Sequence, residues 1–314
     1  MFVGLGLLLP ALAAGGIIVP TVSSSSLSAN AVLAYSDAGV FERRIDSPGQ
    51  LLGNPFGVAA DSAGDIFVLD NQGNFNPSAL GRILEYSAGG VYRELATTPA
   101  DAEALAVGPD GNLYVGDTAA GAVLRYNRTS GAFMGAFTSG GGLAYPRGFA
   151  WAPDLNFFVT SNRTSQVLEY NSSGAFLRVY GNTGNNIVGL TVGPDGRVYV
   201  AAALGGGIEV FDGSSLSASS FIPLADPVDV AFGPDGALYV AQQTGLGSGV
   251  LRYNGSSFDT FIAPGNGGME NPLYMTFSSS TPEPGSAILV MGGGLLWYLA
   301  LRGSVFAKRR GAPK

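Results

Sequence analysis

The chain has 314 residues, enough for one large domain or two ordinary ones, and carries a net charge of −7 at pH 7. Nucleic-acid binding needs clustered Lys and Arg, so the acidic balance argues against nucleic acid as a partner. The sequence contains no histidine, which removes the commonest general base and zinc ligand and excludes a Ser-His-Asp triad. Its 48 glycines and 18 prolines, among 46% hydrophobic residues, indicate many short strands joined by tight turns.

The chain begins with an apolar run, MFVGLGLLLPALA at residues 1–13, which closes on the small-x-small pattern Ala11-Leu12-Ala13. This pattern predicts a signal peptide that a signal peptidase could cut. No Lys or Arg precedes the run, and the first basic residue is Arg43. The alternative interpretation is that the run forms a first buried strand.

Residues 50–280 repeat a pattern of alternating strand, turn and second strand. The units contain the sequences GVAADSAGDIFVLD, ALAVGPDGNLYVGD, GFAWAPDLNFFVTS, VGLTVGPDGRVYVAA and VDVAFGPDGALYVAQ, at intervals of about 40 to 47 residues. In Gly-Pro-Asp-Gly, Pro presets φ, Asp can accept a bond from its own backbone, and Gly takes the left-handed position. Leu155 replaces this glycine in the third unit, so we expect a different turn there.

A second half-motif of strand, Asn/Ser/Gly turn and strand follows each first half, so one repeat holds four antiparallel strands, the size of a propeller blade. There are six second halves but five complete first halves. The unmatched pieces are the N-terminal segments 17–21 and 31–45 and a C-terminal strand, 272–277. They complete one blade if the chain closes into a ring. The sequence therefore predicts an all-β, six-bladed β-propeller over residues 14–278, closed by its terminal strands.

Tyrosines recur at equivalent strand ends, at positions 86, 126, 170 and 253. We expect them to pack between blades rather than to form a carbohydrate-stacking surface.

The C-terminal segment, residues 279–314, has three parts in order. A polar stretch with Pro282-Glu283-Pro284 is followed by the apolar run 285–301 and then by a basic end that includes Lys308, Arg309 and Arg310. The apolar run reaches the length of a transmembrane helix if it extends to residue 307 and Arg302 snorkels to the interface. The basic end then lies in the cytoplasm and the rest of the chain outside.

This order resembles the PEP-CTERM sorting signal of Gram-negative bacteria. The resemblance implies recognition at Pro282, Glu283 and Pro284 by a membrane-embedded processing enzyme, an exosortase. It also implies anchoring in the inner membrane before transfer to the cell surface or the medium. The alternative is a plain C-terminal anchor with a proline-rich stalk.

The Gly-Pro-Asp-Gly-x-Leu/Val-Tyr-Val segments at 108–115, 193–200 and 233–240 resemble NHL-repeat propellers and the gluconolactonase-like and streptogramin-lyase-like folds. These motifs specify packing and turns rather than activity. The related lyases depend on histidine, which this chain lacks. Gluconolactonase-like propellers hold a divalent ion with Glu, Asp and Asn over the central channel, as suits Ca²⁺ chemistry.

Polar residues at the ends of the inner and second strands should meet at the mouth of the channel. The candidate ligands there are Asp101, Glu103, Asp117, Arg147 and Asp229. No motif assigns them a metal, no pair of carboxylates is marked out by spacing, and we predict neither a catalytic set nor a required cofactor, with Ca²⁺ as an open alternative.

The function predicted from sequence is an exported, non-enzymatic binding or structural module of the cell envelope, with an envelope polysaccharide or protein as ligand. The alternative is a divalent-metal-dependent lactonase or hydrolase.

Overall fold

The computed structural model describes residues 16–278, apart from 24–25, 27–28, 47–49, 72–79, 139, 184–185 and 244–247. The chain divides into two units, Met1–Ser279 and Ser280–Lys314. The signal peptide predicted at 1–13, the sorting motif Pro282–Pro284, the apolar run and the basic end lie outside the described residues. Within those residues, no helix is long and apolar enough to span a bilayer.

The described chain forms six antiparallel four-stranded sheets, which confirms the predicted propeller blades. Blade one consists, from the centre outward, of β24 (Thr276–Phe277), β1 (Ile17–Thr21), β2 (Ala31–Tyr35) and β3 (Phe41–Arg44). In the same order, blade two consists of β4 (Pro55–Ala60), β5 (Ile66–Asp70), β6 (Gly81–Tyr86) and β7 (Tyr92–Thr98), blade three of β8 (Ala102–Val107), β9 (Leu113–Asp117), β10 (Ala122–Tyr126) and β11 (Phe133–Thr138), and blade four of β12 (Pro146–Trp151), β13 (Phe157–Ser161), β14 (Gln166–Tyr170) and β15 (Phe176–Asn182). Blade five consists of β16 (Ile187–Val192), β17 (Val198–Ala202), β18 (Gly207–Phe211) and β19 (Ser220–Pro223), and blade six of β20 (Pro227–Phe232), β21 (Leu238–Gln242), β22 (Gly249–Tyr253) and β23 (Phe258–Ile262). Two short 3₁₀ turns lie at Asn162–Thr164 and Asn266–Gly268.

Blade one joins the two ends of the propeller, as the count of half-motifs predicted. Ile17 and Ile18 of β1 pair with Phe277 and Thr276 of β24. A bridge between Thr21 and Pro272 and a bond from the Ser278 amide to the Gly16 carbonyl (2.8 Å) extend this pairing at both ends. The closure supplies blade one with its innermost strand, so that this blade has four strands like the other blades.

The hydrophobic core consists of six clusters, one between each pair of neighbouring blades. Alternation along each strand sends side chains to the two faces of a blade, and both faces are covered by neighbours. Second strands are therefore almost entirely buried, as in β13 and β17. The recurring tyrosines 86, 126 and 170 are buried in these clusters, as predicted, whereas Tyr253 is partly exposed.

The hairpin turns between inner and second strands form one face of the propeller, which we call the turn face. In the Gly-Pro-Asp-Gly turns the final glycine has positive φ, 75° at Gly111. The expectation of a different turn at Leu155 was wrong. Leu155 adopts the same left-handed conformation, with φ 68°, and its amide donates to Ala152 O at 2.9 Å, as Gly111 does to Gly108 O. The preceding Pro-Asp is enough to hold this turn, at the steric cost of a non-glycine residue with positive φ.

The opposite face, where the inner strands begin, is called here the mouth face. Each inner strand from β4 to β20 has a register shift directly after its first residue. The second residue of the strand lies in this bulge, and bulges re-aim side chains next to binding sites. These second residues are Phe56, Glu103, Arg147, Val188 and Val228. Among these residues, Glu103 and Arg147 meet at the channel mouth, whereas Val188 and Val228 are buried in the core clusters.

Candidate functional site

The candidate site lies at the channel mouth, where Glu103 of blade three meets Arg147 of blade four. Arg147 Nε donates to Glu103 Oε2 at 2.6 Å, and the side chains are 24% and 8% exposed. The Tyr145 hydroxyl donates to Glu103 Oε1 at 3.0 Å. Both carboxylate oxygens of Glu103 therefore accept bonds from neighbouring side chains.

Tyr145 reaches Glu103 because its backbone lies in the left-handed region, with φ 63°. A tyrosine in this conformation costs about 1–3 kcal/mol, which the surrounding contacts must offset. The guanidinium groups of Arg147 and Arg163 lie 5.5 and 5.2 Å from the centre of the Tyr145 ring, so the ring sits between two cations. Burial is the main cause that raises the pKa of Tyr145, and the Glu103 carboxylate raises it further. The phenol therefore remains a proton donor at neutral pH.

Tyr274 closes the mouth from blade one. Its hydroxyl donates to the Arg147 carbonyl at 2.7 Å, and the residue is 8% exposed. Burial raises its pKa far above that of a free tyrosine. Burial also lowers the pKa of Arg147, but the charges of Tyr274 and Glu103 outweigh this effect and raise it overall. Arg147 is therefore a fixed cation, and Tyr274 is a neutral donor.

Asp229 lies deeper in the channel, at the third position of its inner strand. In blades two, four and five this position is held by Gly57, Gly148 and Gly189, which allow inner strands to approach closely. Asp229 Oδ2 accepts a bond from the Met275 amide at 2.9 Å, and a Cβ added to Gly189 would overlap Asp229 Oδ1. Burial raises the pKa of Asp229 to about 7. This carboxyl is therefore partly protonated at neutral pH.

Below the mouth, the inner strands surround a cavity of about 250 Å³. Asp229, Arg147 and Tyr274 contribute to its lining, together with small residues such as Ala59, Ala106 and Ala231. The channel is thus narrow, and polar groups line it both at the mouth and below the mouth.

The two remaining sequence candidates do not join this group. Asp117 Oδ1 accepts bonds from the amides of Ala119 and Ala120 at 3.1 and 3.0 Å, so it caps its own turn. Asp101 is exposed, and its carbonyl accepts bonds from the Thr118 amide and hydroxyl at 3.2 and 2.5 Å. Of the five candidates predicted from the sequence, Glu103, Arg147 and Asp229 lie at the channel, whereas Asp101 and Asp117 are turn residues.

Sequence reasoning missed Tyr145 and Tyr274. Tyr274 could have been found, because it occupies in Pro-Leu-Tyr the position that Asp229 occupies in Pro-Val-Asp. Tyr145 carried no signal, since only its left-handed backbone directs it to Glu103. Among the described residues, no group of three acidic side chains is placed to hold a metal ion.

No protein-family model matches the sequence, and no curated protein matches it. Solved structures do match the fold. A chain in the crystal structure of the nidogen/laminin complex aligns with a TM-score of 0.66 and 14% identity, covering 85% of this chain and 98% of that one.

Two solved structures of proteins that are named as enzymes are also similar to this chain. A streptogramin B lyase aligns at a TM-score of 0.54 and 17% identity, over 68% of this chain and 70% of its own. A candidate 6-phosphogluconolactonase from Bacteroides uniformis aligns at 0.55 and 16% identity, over 79% of this chain and 82% of its own. At these identities the matches show the propeller fold and leave activity open.

Proposed function

We propose that this protein is an exported propeller that acts as a non-enzymatic binding or structural module outside the cytoplasm, sorted through a PEP-CTERM-type tail. One observation carries the non-enzymatic part: the acidic side chains at the channel are already bonded to other groups of the protein. Glu103 accepts from Arg147 and Tyr145, and Asp229 accepts from the Met275 amide.

A general base must have a lone pair within hydrogen-bond reach of the substrate proton. Glu103 uses both of its oxygens within the mouth, where they accept bonds from Tyr145 and Arg147. The same network holds the mouth in one arrangement without a bound ligand. These features favour a preformed binding surface over a hydrolytic centre.

The lactonase alternative requires a divalent ion at the channel mouth, and calcium binding distinguishes the two functions. Full-length protein should show no increase in melting temperature with 5 mM CaCl₂ and no turnover of sugar lactones in its presence. A ligand at a hundred times its Kd stabilises a protein by about 2.7 kcal/mol, so a real site would produce a clear shift. A calcium-dependent shift that is lost in Glu103→Gln, together with lactone hydrolysis, would establish the lactonase function instead.

The sorting part of the proposal rests on the tail. Proline fixes φ and disfavours helix in the residue before it, so a Pro-Glu-Pro sequence suits presentation to a membrane-embedded enzyme. The match to a chain of the nidogen/laminin complex supports a binding role, because a propeller of this fold occurs there in a protein–protein complex.

C-terminal peptide mass spectrometry on protein from the native host's membrane, surface and medium tests sorting. We expect the wild-type chain to end near Pro282–Pro284 in the surface fraction. The triple variant Pro282→Ala, Glu283→Ala, Pro284→Ala should remain in the membrane fraction, with peptides through Lys308 present. Ser279→Ala with Ser280→Ala serves as the matched control and should be processed normally. Equal processing of the triple variant would show that the tail is a plain anchor.

A further inference from the structure

At the junction between blades five and six, the outer strand lacks a bulge that four other outer strands share. Strand β3 of blade one has its register shift at a different place, opposite Ala34 and Tyr35. Outer strands β7, β11, β15 and β23 share a register shift in their middle or last part that leaves one residue bulged, and β11 and β15 have a second shift at Met134 and Leu177. The residues bulged at the shared shift are Leu95, Phe137, Tyr180 and Phe261. Strand β19, the outer strand of blade five, has only four residues and pairs with β18 in an unbroken register. It therefore lacks the bulge.

The bulge contacts the next blade. The turn between the last two strands of a blade contains a glycine with positive φ, and in blades one, three, four and five this glycine packs on the bulged residue of the preceding blade. Gly131 packs on the carbonyl of Leu95, Gly174 on that of Phe137, and Gly39 on that of Phe261. The equivalent Gly255 of blade six has nothing within 4 Å of an added Cβ. Without a bulge in β19, the contact is not made.

The tyrosines beside these turns differ in the same way. The hydroxyls of Tyr35, Tyr86 and Tyr170 donate to residues of the preceding blade's connecting segment, at distances of 2.8, 3.1 and 2.9 Å. The hydroxyl of Tyr253 donates instead to Gly255 of its own turn, at 2.9 Å, and the residue is partly exposed. At three other junctions this tyrosine thus bonds to the preceding blade, whereas Tyr253 bonds within its own turn.

The result is a groove with a volume of about 680 Å³ between blades five and six, opening on the turn face. Buried Val210 and Leu238 form its floor, and exposed Ser220 and Asn254 lie at its rim. Phe232 also lines an adjacent apolar cavity of about 550 Å³ around Trp151 and the turn prolines. The volume falls within the range of about 300–1,000 Å³ found for ligand sites.

The charges in the groove are paired with one another. Arg252 donates from Nε and Nη2 to Asp235 Oδ2 at 3.0 and 2.8 Å. Arg197 Nε donates to Asp195 Oδ2 at 2.6 Å. Neither arginine has an excess charge to attract an anion, yet both keep exposed N–H donors beside carboxylate acceptors. Such planar donor and acceptor pairs suit vicinal hydroxyl groups.

We propose that this groove binds a neutral oligosaccharide, with the ring of Tyr253 against a sugar face and the Arg252–Asp235 pair on its hydroxyls. The proposal rests on the proposed binding function and gives its ligand class. Aromatic side chains provide a rigid apolar surface with a polar tip, as a sugar ring with hydroxyls at its edge requires. An anionic ligand would displace Asp235 from Arg252, and a purely apolar ligand would bury both charged groups without partners.

Calorimetric titration of full-length protein in mild detergent with neutral glucose, mannose and galactose hexasaccharides tests this site. We expect one series to bind, and Ser220→Trp, which fills the groove, to raise Kd at least ten-fold. Tyr253→Ala should raise Kd by a similar factor through loss of the ring. Met134→Trp, at an exposed position on β11, is the matched control and should bind like wild type.

Absence of binding to every hexasaccharide, or binding unchanged in Ser220→Trp, would overturn the proposal. Capture of an extended peptide that Ser220→Trp abolishes would assign the groove to protein and overturn it as well. Lactone turnover or failed tail processing would refute the proposed function and leave the groove result standing, so the two failures are distinguishable.

Discussion

A chain that ends at residue 271 should fail to fold cooperatively, because it lacks the inner strand of blade one. The missing segment includes Tyr274, Met275 and Phe277, of which the first two are 8% and 6% exposed. Fully burying a large apolar side chain stabilises a fold by about 1.5–3 kcal/mol, so the loss of Tyr274 and Met275 removes roughly 3–6 kcal/mol, and the loss of the partly buried Phe277 adds to it. That amount is comparable to the whole free energy of unfolding of a typical domain, about 5–15 kcal/mol.

A chain that ends at residue 279 is the matched control, since it keeps β24 and loses only the second unit. We expect a sharp thermal transition from this chain and a broad or absent one from the shorter chain, measured by near-ultraviolet circular dichroism. Equal melting temperatures would show that β24 does not close the ring. The comparison also bears on sorting, because cleavage near Pro282 would leave the closing strand in the mature protein.

The Asp229→Asn variant should be more stable than wild type at pH 8 and should lose this advantage at pH 4.5. Burial raises the pKa of Asp229 from 3.8 to about 7. The folded state therefore binds the proton more tightly than the unfolded state. The tighter proton binding of Asp229 in the folded state therefore stabilises the fold fully below about pH 4. This stabilisation falls as the pH rises from about 4 to 7 and stays low above pH 7. The pKa difference corresponds to about 4 kcal/mol, so a gain of about 2–4 kcal/mol is expected at pH 8.

Urea unfolding at pH 4.5, 6 and 8 measures this difference. Asparagine keeps an oxygen acceptor for the Met275 amide, so the comparison isolates the charge. Asp259→Asn, at an exposed position on β23, is the matched control for the exchange of a carboxyl for an amide. A gain for Asp229→Asn that does not grow with pH would mean that the carboxyl is ionised in the fold without cost.

The sequence predicted the propeller in detail because its signals are local and repeated. Strand alternation and the Gly-Pro-Asp-Gly turn recur in several blades, and the unmatched half-motifs at the two ends pointed to ring closure. Leu155 shows the limit of reading a turn from one residue. The remaining three turn residues hold the conformation, and leucine accepts positive φ.

The site was harder to predict because it depends on pairing between blades. Glu103 and Arg147 are 44 residues apart, and only the bulges at the starts of β8 and β12 bring them together. The open junction at Tyr253 depends on the register of β19, and no single residue predicts that register. The serine-rich run before β19, DGSSLSASS, and Phe211 in place of the recurrent tyrosine are the only sequence signals that set blade five apart.

The bulges at the starts of the inner strands let the residues at the channel mouth differ from blade to blade. A bulged residue can change without shifting the register of the strand that follows. Glu103 and Arg147, which meet at the mouth, can therefore be exchanged for residues of different size and charge, whereas Val188 and Val228 are buried in the core and must stay apolar. Descendants of such a chain can acquire new surface chemistry one blade at a time, while the packing between blades, and with it the ring, is inherited unchanged.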